Sequence, residues 1–317
     1  MTSRDGRPLI AVVGPTGVGK TRLSMEICQK VGGEIVSADS RQVYRYMQIG
    51  TAKPTGRQRS LVPHHVVDII DPDEPFTLAQ YQELAYRAID GILDRDHAPF
   101  LVGGTGLYIR AVLEGFQVPK VEPRRSLRER LRREAAREGG AALHARLAKV
   151  DPQAAAKIHP SNVRRLIRAL EVYQTLGTPI SSLQEREPPP YHVLKIGLTM
   201  DRERLYRRID ERVDRMIEDG LVAEVQNLLE MGYDPGLPAM SGLGYRQICN
   251  YLRGDTDLAT AVRKIKTETH RFVRQQYKWF RLGDETTYWL DVSAEPLGSI
   301  LAMVEEFLHE AGWWSVT

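Results

Sequence analysis

Gly14, Gly19, Lys20 and Thr21 stand at the spacing of a phosphate-binding loop, with Pro15, Thr16, Gly17 and Val18 between them. Glycines let backbone N–H groups turn inward and surround phosphate oxygens. Lys20 adds a mobile positive charge, and the Thr21 hydroxyl is suited to a Mg²⁺ ion carried by the phosphates. The loop specifies a chain of phosphates without saying which one. ATP is the usual ligand, but any diphosphate fits. Two further groups invite attention: the Asp39 carboxylate, directly after an apolar run, and the Thr105 hydroxyl inside Gly103-Gly104-Thr105-Gly106.

The elements around these residues read as an α/β protein. Leu9–Val13 is a short buried strand, and a helix from about Thr21 to Val31 would aim its N-terminal dipole at the bound anion. Gly32-Gly33 stops that helix. Glu34–Ala38 reads as a second strand that runs into Asp39-Ser40-Arg41-Gln42. Ligands of open α/β sheets sit beyond the carboxyl ends of strands. Asp39 therefore either faces the phosphate crevice or caps a following helix, since Asp is common in both places. His64–Ile70 reads as a strand, and Val66-Val67-Asp68-Ile69-Ile70-Asp71 holds the nearest candidate for the second carboxylate of a nucleotide hydrolase. The apolar run before either acid is very short. Thr77–Arg95 has helical apolar spacing, and Pro99–Val102 is a buried strand ending in glycines, which suits close backbone approach to a ligand.

Near Pro119 the strand signals stop. Arginines crowd Arg124–Arg137, among them Arg128, and recur as Arg164, Arg165 and Arg168 on a helix over Ser161–Leu176. Ion-paired, solvated faces explain much of the first group but less of the second, where only Glu171 is at hand. Residues 120–191 are expected to form an all-helical insertion, with 1–119 and 192–317 as the core domain. His192–Thr199 returns to the sheet, and Asp201–Leu229 reads as a long helical region. One of Arg208, Arg212 and Arg215 could close over phosphates, while pairing with Asp210, Glu211 and Asp214 would occupy most of them. Ser241–Gln247 is a glycine turn opening a helix, able to clamp a phosphate or simply to cap. At about 100° per residue, the helix over Ala259–Leu282 gathers Val262, Ile265, Phe272 and Trp279 on the side expected to pack. It sets Arg263, His270, Arg274, Lys278 and Arg281 on the other. A solvated face ordinarily mixes signs, so this pattern points to a polyanionic partner. Thr287–Val292 and Ile300–Ala311 read as the last strand and helix.

The 317 residues suffice for a large core, and the net charge of +3 is too mild to indicate nucleic acid without that local clustering. Cys28 and Cys249 join no metal-ligand pattern and suit a reducing cytoplasm. No stretch approaches a membrane span or a signal peptide. A cytoplasmic monomer without membrane attachment is expected.

Three segments in order, Gly14–Thr21, Ser37-Ala38-Asp39-Ser40-Arg41-Gln42-Val43-Tyr44 and Gly103–Tyr108, resemble the tRNA dimethylallyltransferases (isopentenyltransferases) in their bacterial form. Gly50–Pro54, Arg165–Glu171 and Gly244-Tyr245-Arg246-Gln247 are similar to that family too. The resemblance implies a P-loop NTPase-like parallel sheet flanked by helices, with a helical insertion. It implies transfer of a dimethylallyl group from dimethylallyl diphosphate to N6 of adenosine 37 beside the tRNA anticodon, with Mg²⁺ at Thr21. Asp39 would be the general base, and Thr105 would assist. Ser40, Arg41, Gln42, the insertion arginines, Gly244–Gln247, Arg274 and Lys278 would hold the anticodon arm. The rival is a small-molecule or nucleoside kinase using ATP. The weak second carboxylate, the glycine-rich strand end and the basic helix count against it.

Overall fold

A computed structural model describes residues 6–119, 121–183, 186–294 and 296–313. β1 (Arg7–Val13) leads through the glycine loop into α1 (Lys20–Val31), and β2 (Gly33–Ala38) follows. Next come α2 (Gly56–Leu61), the short β3 (His64–His65), α3 (Leu78–Leu93), β4 (Ala98–Gly103) and α4 (Gly106–Leu113). Four helices follow: α5 (Arg125–Glu138), α6 (Gly140–Val150), α7 (Pro152–Lys157) and α8 (Val163–Leu176). β5 (Tyr191–Thr199) re-enters the sheet. α9 (Arg202–Glu218), α10 (Leu221–Glu230), α11 (Tyr245–Leu252) and α12 (Leu258–Trp279) precede β6 (Tyr288–Asp291) and α13 (Leu297–Glu310).

The strands form one parallel sheet in the order β3-β2-β4-β1-β5-β6. β1 lies between β4 and β5, with Ile10 opposite both Phe100 and Leu194. β2 and β4 are buried throughout and β1 nearly so, as expected of parallel strands covered on both faces. Gly32, at φ 64°, ends α1 by donating its N–H to the Cys28 carbonyl, a left-handed cap that glycine adopts readily. The sheet core takes Ile27 and Cys28 from α1, Phe100 from β4, Ile196 from β5 and Leu205 and Ile209 from α9.

One sequence expectation fails here. The strand expected over His64–Ile70 shrinks to two residues because Val66 and Asp68 adopt positive φ, which a strand does not allow. The helical region expected over Asp201–Leu229 is present as two helices, separated at Gly220, whose φ is 100°.

The chain divides into two compact units. One holds the described residues up to Phe76, Tyr81–Leu113 and those from Pro190 onward; the other holds Thr77–Gln80 and Glu114–Pro189. The expected boundary at 120 lies outside the described residues. The second unit packs α5–α8 around Leu127, Leu131, Leu143, Leu147, Leu166 and Leu170. Glu171, fully buried, accepts hydrogen bonds from the Arg124 backbone and from the guanidinium groups of Arg128 and Arg168. Burial pushes its pKa up, but those guanidinium bonds outweigh burial and hold it below the ordinary range. Removing one partner of a buried ion pair costs about 3–5 kcal/mol. Arg128 and Arg168 are therefore committed inside this unit, whereas Arg164 and Arg165 stand exposed on the outer side of α8.

Candidate active site

The carboxyl ends of β1, β2 and β4 meet at one crevice. Gly14 leaves β1 at φ 142°, where a Cβ would come within 2.4 Å of the Leu198 carbonyl oxygen on β5. Gly103 is equally constrained, because a Cβ there would lie 2.2 Å from the Ala38 carbonyl oxygen. The backbones of β2 and β4 can thus run together at their ends. Thr105 N donates to Ala38 O (3.1 Å), and Ser40 N donates to Thr105 Oγ1 (3.0 Å). Asp39 is held between these contacts. Its Oδ1 accepts from Arg41 N at 2.8 Å, closing a turn. No helix follows, so the expected capping role is replaced by this turn, and Asp39 faces the cavities that hold the phosphate loop.

Within the loop, Val18 packs into the core, while Thr16, Gly17, Gly19, Lys20 and Thr21 line the larger cavity. Lys20 Nζ donates to the Gly14 and Pro15 carbonyls, each at 2.9 Å. Burial lowers its pKa from 10.5 to about 8; the Asp39 carboxylate opposes that shift and Arg212 adds to it. Arg208, Arg212 and Arg215 line the same cavity from one side of α9. The Arg208 guanidinium lies over Gly19, 3.5 Å from where a Cβ would sit. Arg212 Nη1 is 3.5 Å from Thr16 Oγ1, and burial lowers its pKa against the opposing pull of Asp39. The expected surface pairing of these arginines does not form. Asp210 pairs with His270 and Asp214 with Lys266 instead, both across to α12.

A second cavity opens beside Asp39 and Thr105. Its apolar wall comes from Ile209, Val213 and Met216 of α9, from Leu243, and from Ile265 and Phe272 of α12. Gln276, only 3% exposed, ties α12 to the site: its Oε1 accepts from Thr16 N (2.9 Å), and its Nε2 donates to Gly104 O (2.8 Å). Neither Arg212 nor Gln276 could be selected from sequence. Arginines at 208, 212 and 215 share one helix stripe, and nothing local marks one glutamine in α12.

Several residues expected to touch RNA also make contacts within the protein. The buried Tyr245 donates its hydroxyl to Glu224 Oε1 (2.6 Å), while Glu224 accepts the backbone N–H groups of Gln48, Ile49 and Gly50. Gln247 Oε1 accepts from Gly244 N, capping α11, and its Nε2 donates to Glu268, which also pairs with Arg246. Gly244 and Tyr245 nevertheless line the second cavity. Gln42 bonds Ser37 and the carbonyls of Thr51 and Ala52, and Arg41 donates to the Pro238 carbonyl. Of the two candidate second carboxylates, Asp68 pairs with Lys53 and Arg59 and Asp71 with Arg45, and neither lines the cavities at the phosphate loop.

The buried stripe of α12 is narrower than expected: Ala261, Ile265, Val273 and Gln276 are buried, whereas Phe272 and Trp279 are exposed. His270 leaves the basic face, stacked on Tyr206 at 4.0 Å. Arg263, Arg274 and Lys278 are exposed, with Arg274 donating to the Tyr206 hydroxyl.

Divalent-ion chemistry fits the larger cavity in one form. Among the described residues no cluster of three His, Cys, Asp or Glu could hold a metal alone. Thr21, Asp39 and Asp219 do line the cavity, and an ion brought by phosphates needs only one or two such oxygens.

The IPP transferase family model matches residues 42–283, and a second model, isopentenyl transferase, matches residues 8–61. The chain belongs to the IPP transferase family. Among curated relatives, the tRNA dimethylallyltransferase of Roseiflexus sp. (strain RS-1) is 57% identical over 274 residues, 86% of this chain and 90% of the relative. That of Dehalococcoides mccartyi is 47% identical over 305 residues, 96% of this chain and 94% of the relative. The full-length tRNA isopentenylpyrophosphate transferase of Bacillus halodurans superposes with TM-score 0.71 at 39% identity, covering 96% of this chain and 98% of its own. A eukaryotic dimethylallyltransferase acting on tRNA gives TM-score 0.82 at 27% identity, over 96% and 80%.

For this IPP transferase the Lys20 environment predicts a pH step. The ammonium is charged below about pH 8 in the free protein and above that only if a bound anion draws in a proton. Affinity for dimethylallyl diphosphate, measured calorimetrically without RNA, should be flat between about pH 7 and 8, above the ligand's own last ionisation, and fall by up to about tenfold per unit above pH 8. Between pH 8 and 10.5 the unfolded chain holds this proton and the folded one does not, so Lys20 adds stability as pH rises there. Lys20→Met should bind more weakly and erase the step. A step that persists in that variant belongs to another group.

Proposed function

We propose that this protein transfers a dimethylallyl group from dimethylallyl diphosphate to N6 of adenosine 37, next to the anticodon of tRNA. One observation carries the reading: half-buried Lys20 and Arg212 stand at one crevice with the Asp39 carboxylate, beside a cavity with an apolar wall. The cations suit the leaving diphosphate, the apolar wall suits an isoprenoid, and the carboxylate suits a proton that must leave an amine. The names of the relatives, tRNA dimethylallyltransferases, support the same substrates.

In this reading the N6 nitrogen attacks the allylic carbon, the C–O bond breaks, and diphosphate departs with its electron pair. Loop N–H groups, Lys20 and Arg212 stabilise the growing charge on the leaving oxygens. Asp39 takes the N6 proton, a role typically worth about 10²–10⁴ in rate. Thr105, bonded to Ser40 N, holds the Asp39 loop and offers its hydroxyl to the base or to a phosphate oxygen. Mg²⁺ held at Thr21 would neutralise diphosphate charge. The adenine must leave its stack to enter the cavity. The chain acts as a monomer on this reading, with Arg164, Arg165, Arg274 and Lys278 on tRNA phosphates.

The deciding assay incubates the protein with radiolabelled dimethylallyl diphosphate and unmodified tRNA, with ATP in a parallel tube. Label in tRNA supports the reading; phosphate transfer from ATP with unlabelled tRNA overturns it. Reversing charge at Arg274 and Lys278 should weaken tRNA binding and lower its salt slope by about 1.5–2 while leaving diphosphate affinity unchanged. An unchanged slope of log K against log salt would make this helix face merely solvated.

A further inference from the structure

Trp279 ends α12 one turn beyond Gln276 and two turns beyond Phe272, both of which line the cavity. Its indole is 45% exposed, an unusual state for the largest apolar side chain next to a ligand cavity. The ring rests on Gly106, where an added Cβ would come within 2.4 Å of the indole, so only glycine admits it. Arg110, one helical turn after Gly106 on α4, places its guanidinium carbon 5.7 Å from the ring centroid. Gly106 and Arg110 are one turn apart on α4, so that helix covers part of the indole while the rest stays open. That ring sits next to Thr105, which holds the Asp39 loop.

Flanking it on α12, Arg271 and Lys278 are exposed, and among the described residues no carboxylate pairs with them. A flat aromatic face among cations suits a planar base attached to phosphates better than an aliphatic or anionic surface. Extruding one adenine also leaves its two neighbours with an unstacked face each. We propose that the outer face of Trp279 is a stacking platform for an unpaired nucleobase adjacent to the acceptor adenosine, replacing the stacking lost when that adenosine enters the cavity. The inference rests on the RNA-modifying reading above and deepens it with a second base subsite.

The test is a cycle between protein and RNA. Wild type, Trp279→Leu and Trp279→Phe are titrated by fluorescence anisotropy with an anticodon stem-loop that is intact, abasic 5′ of the acceptor, or abasic 3′ of it. One abasic form should bind wild type about 5- to 150-fold more weakly. Trp279→Leu should lose a similar factor with the intact RNA and nothing further with that abasic form; Trp279→Phe should keep most of the affinity. Losses that multiply between Trp279→Leu and both abasic RNAs, or intact affinity in Trp279→Leu, overturn the platform. The abasic arms on wild type stand without any variant, and unchanged dimethylallyl diphosphate binding by Trp279→Leu reports that it is folded. Wild type that prenylates the intact stem-loop while the cycle is multiplicative loses only the platform. Wild type that prenylates neither stem-loop nor tRNA loses the parent reading.

Discussion

Asp39→Asn is expected to bind dimethylallyl diphosphate and tRNA within a few-fold of wild type, while single-turnover prenyl transfer falls by about 10²-fold or more. The structure makes this substitution clean. Asp39 Oδ1 closes its turn by accepting from Arg41 N, and an asparagine carbonyl oxygen can accept the same hydrogen bond. Ser40 N remains on Thr105 Oγ1, so the loop keeps its shape. What disappears is the capacity to take a proton, together with one negative charge facing Lys20 and Arg212. Losing that charge should tighten diphosphate binding slightly, so a defect in donor affinity is not expected. A normal transfer rate would remove Asp39 from the chemistry and leave it as a turn residue. A uniform loss of tRNA binding would make it a recognition residue instead.

Lys20→Ala should lower kcat/KM for dimethylallyl diphosphate by about 10²–10³-fold, with a loss in kcat as well as in affinity. The ammonium is half-buried at the floor of the crevice, where a charge is less screened than in open water. Its interaction strengthens as the C–O bond breaks and charge gathers on the leaving diphosphate, so the transition state loses more than the ground state. Arg208, Arg212 and Arg215 remain in the same cavity and should preserve measurable donor binding. Isothermal titration and single-turnover rates separate the two effects. A variant with near wild-type kcat would give the loop a purely binding role.

Much of the site could be read without coordinates. Gly14–Thr21 is a contiguous segment whose backbone makes the phosphate cradle, so its spacing carries its function. The apolar runs of β1, β2 and β4 mark strands buried on both faces, and such strands deliver their carboxyl ends to a common crevice. That reasoning brought Asp39 and Thr105 to the phosphate loop, and the Ser40–Thr105 hydrogen bond joins them there. Segments whose roles depend on one partner far along the chain were not legible. Arg128 looks like part of a solvated basic face until Glu171, 43 residues on, is seen buried against it. Tyr245 looks like an aromatic contact for RNA until Glu224 draws its hydroxyl inward and gathers three backbone N–H groups from residues 48–50. Arg212 is one of three equivalent arginines in helix periodicity, and only the packing of α9 over the loop buries it. Likewise, helical phase groups Phe272 and Trp279 with Ile265, but α12 meets the core along a narrower stripe and leaves both rings exposed, Phe272 on the cavity wall. Local spacing determines what a backbone segment can cradle, whereas burial and charge pairing are properties of two surfaces meeting, and the second surface lies elsewhere in the chain.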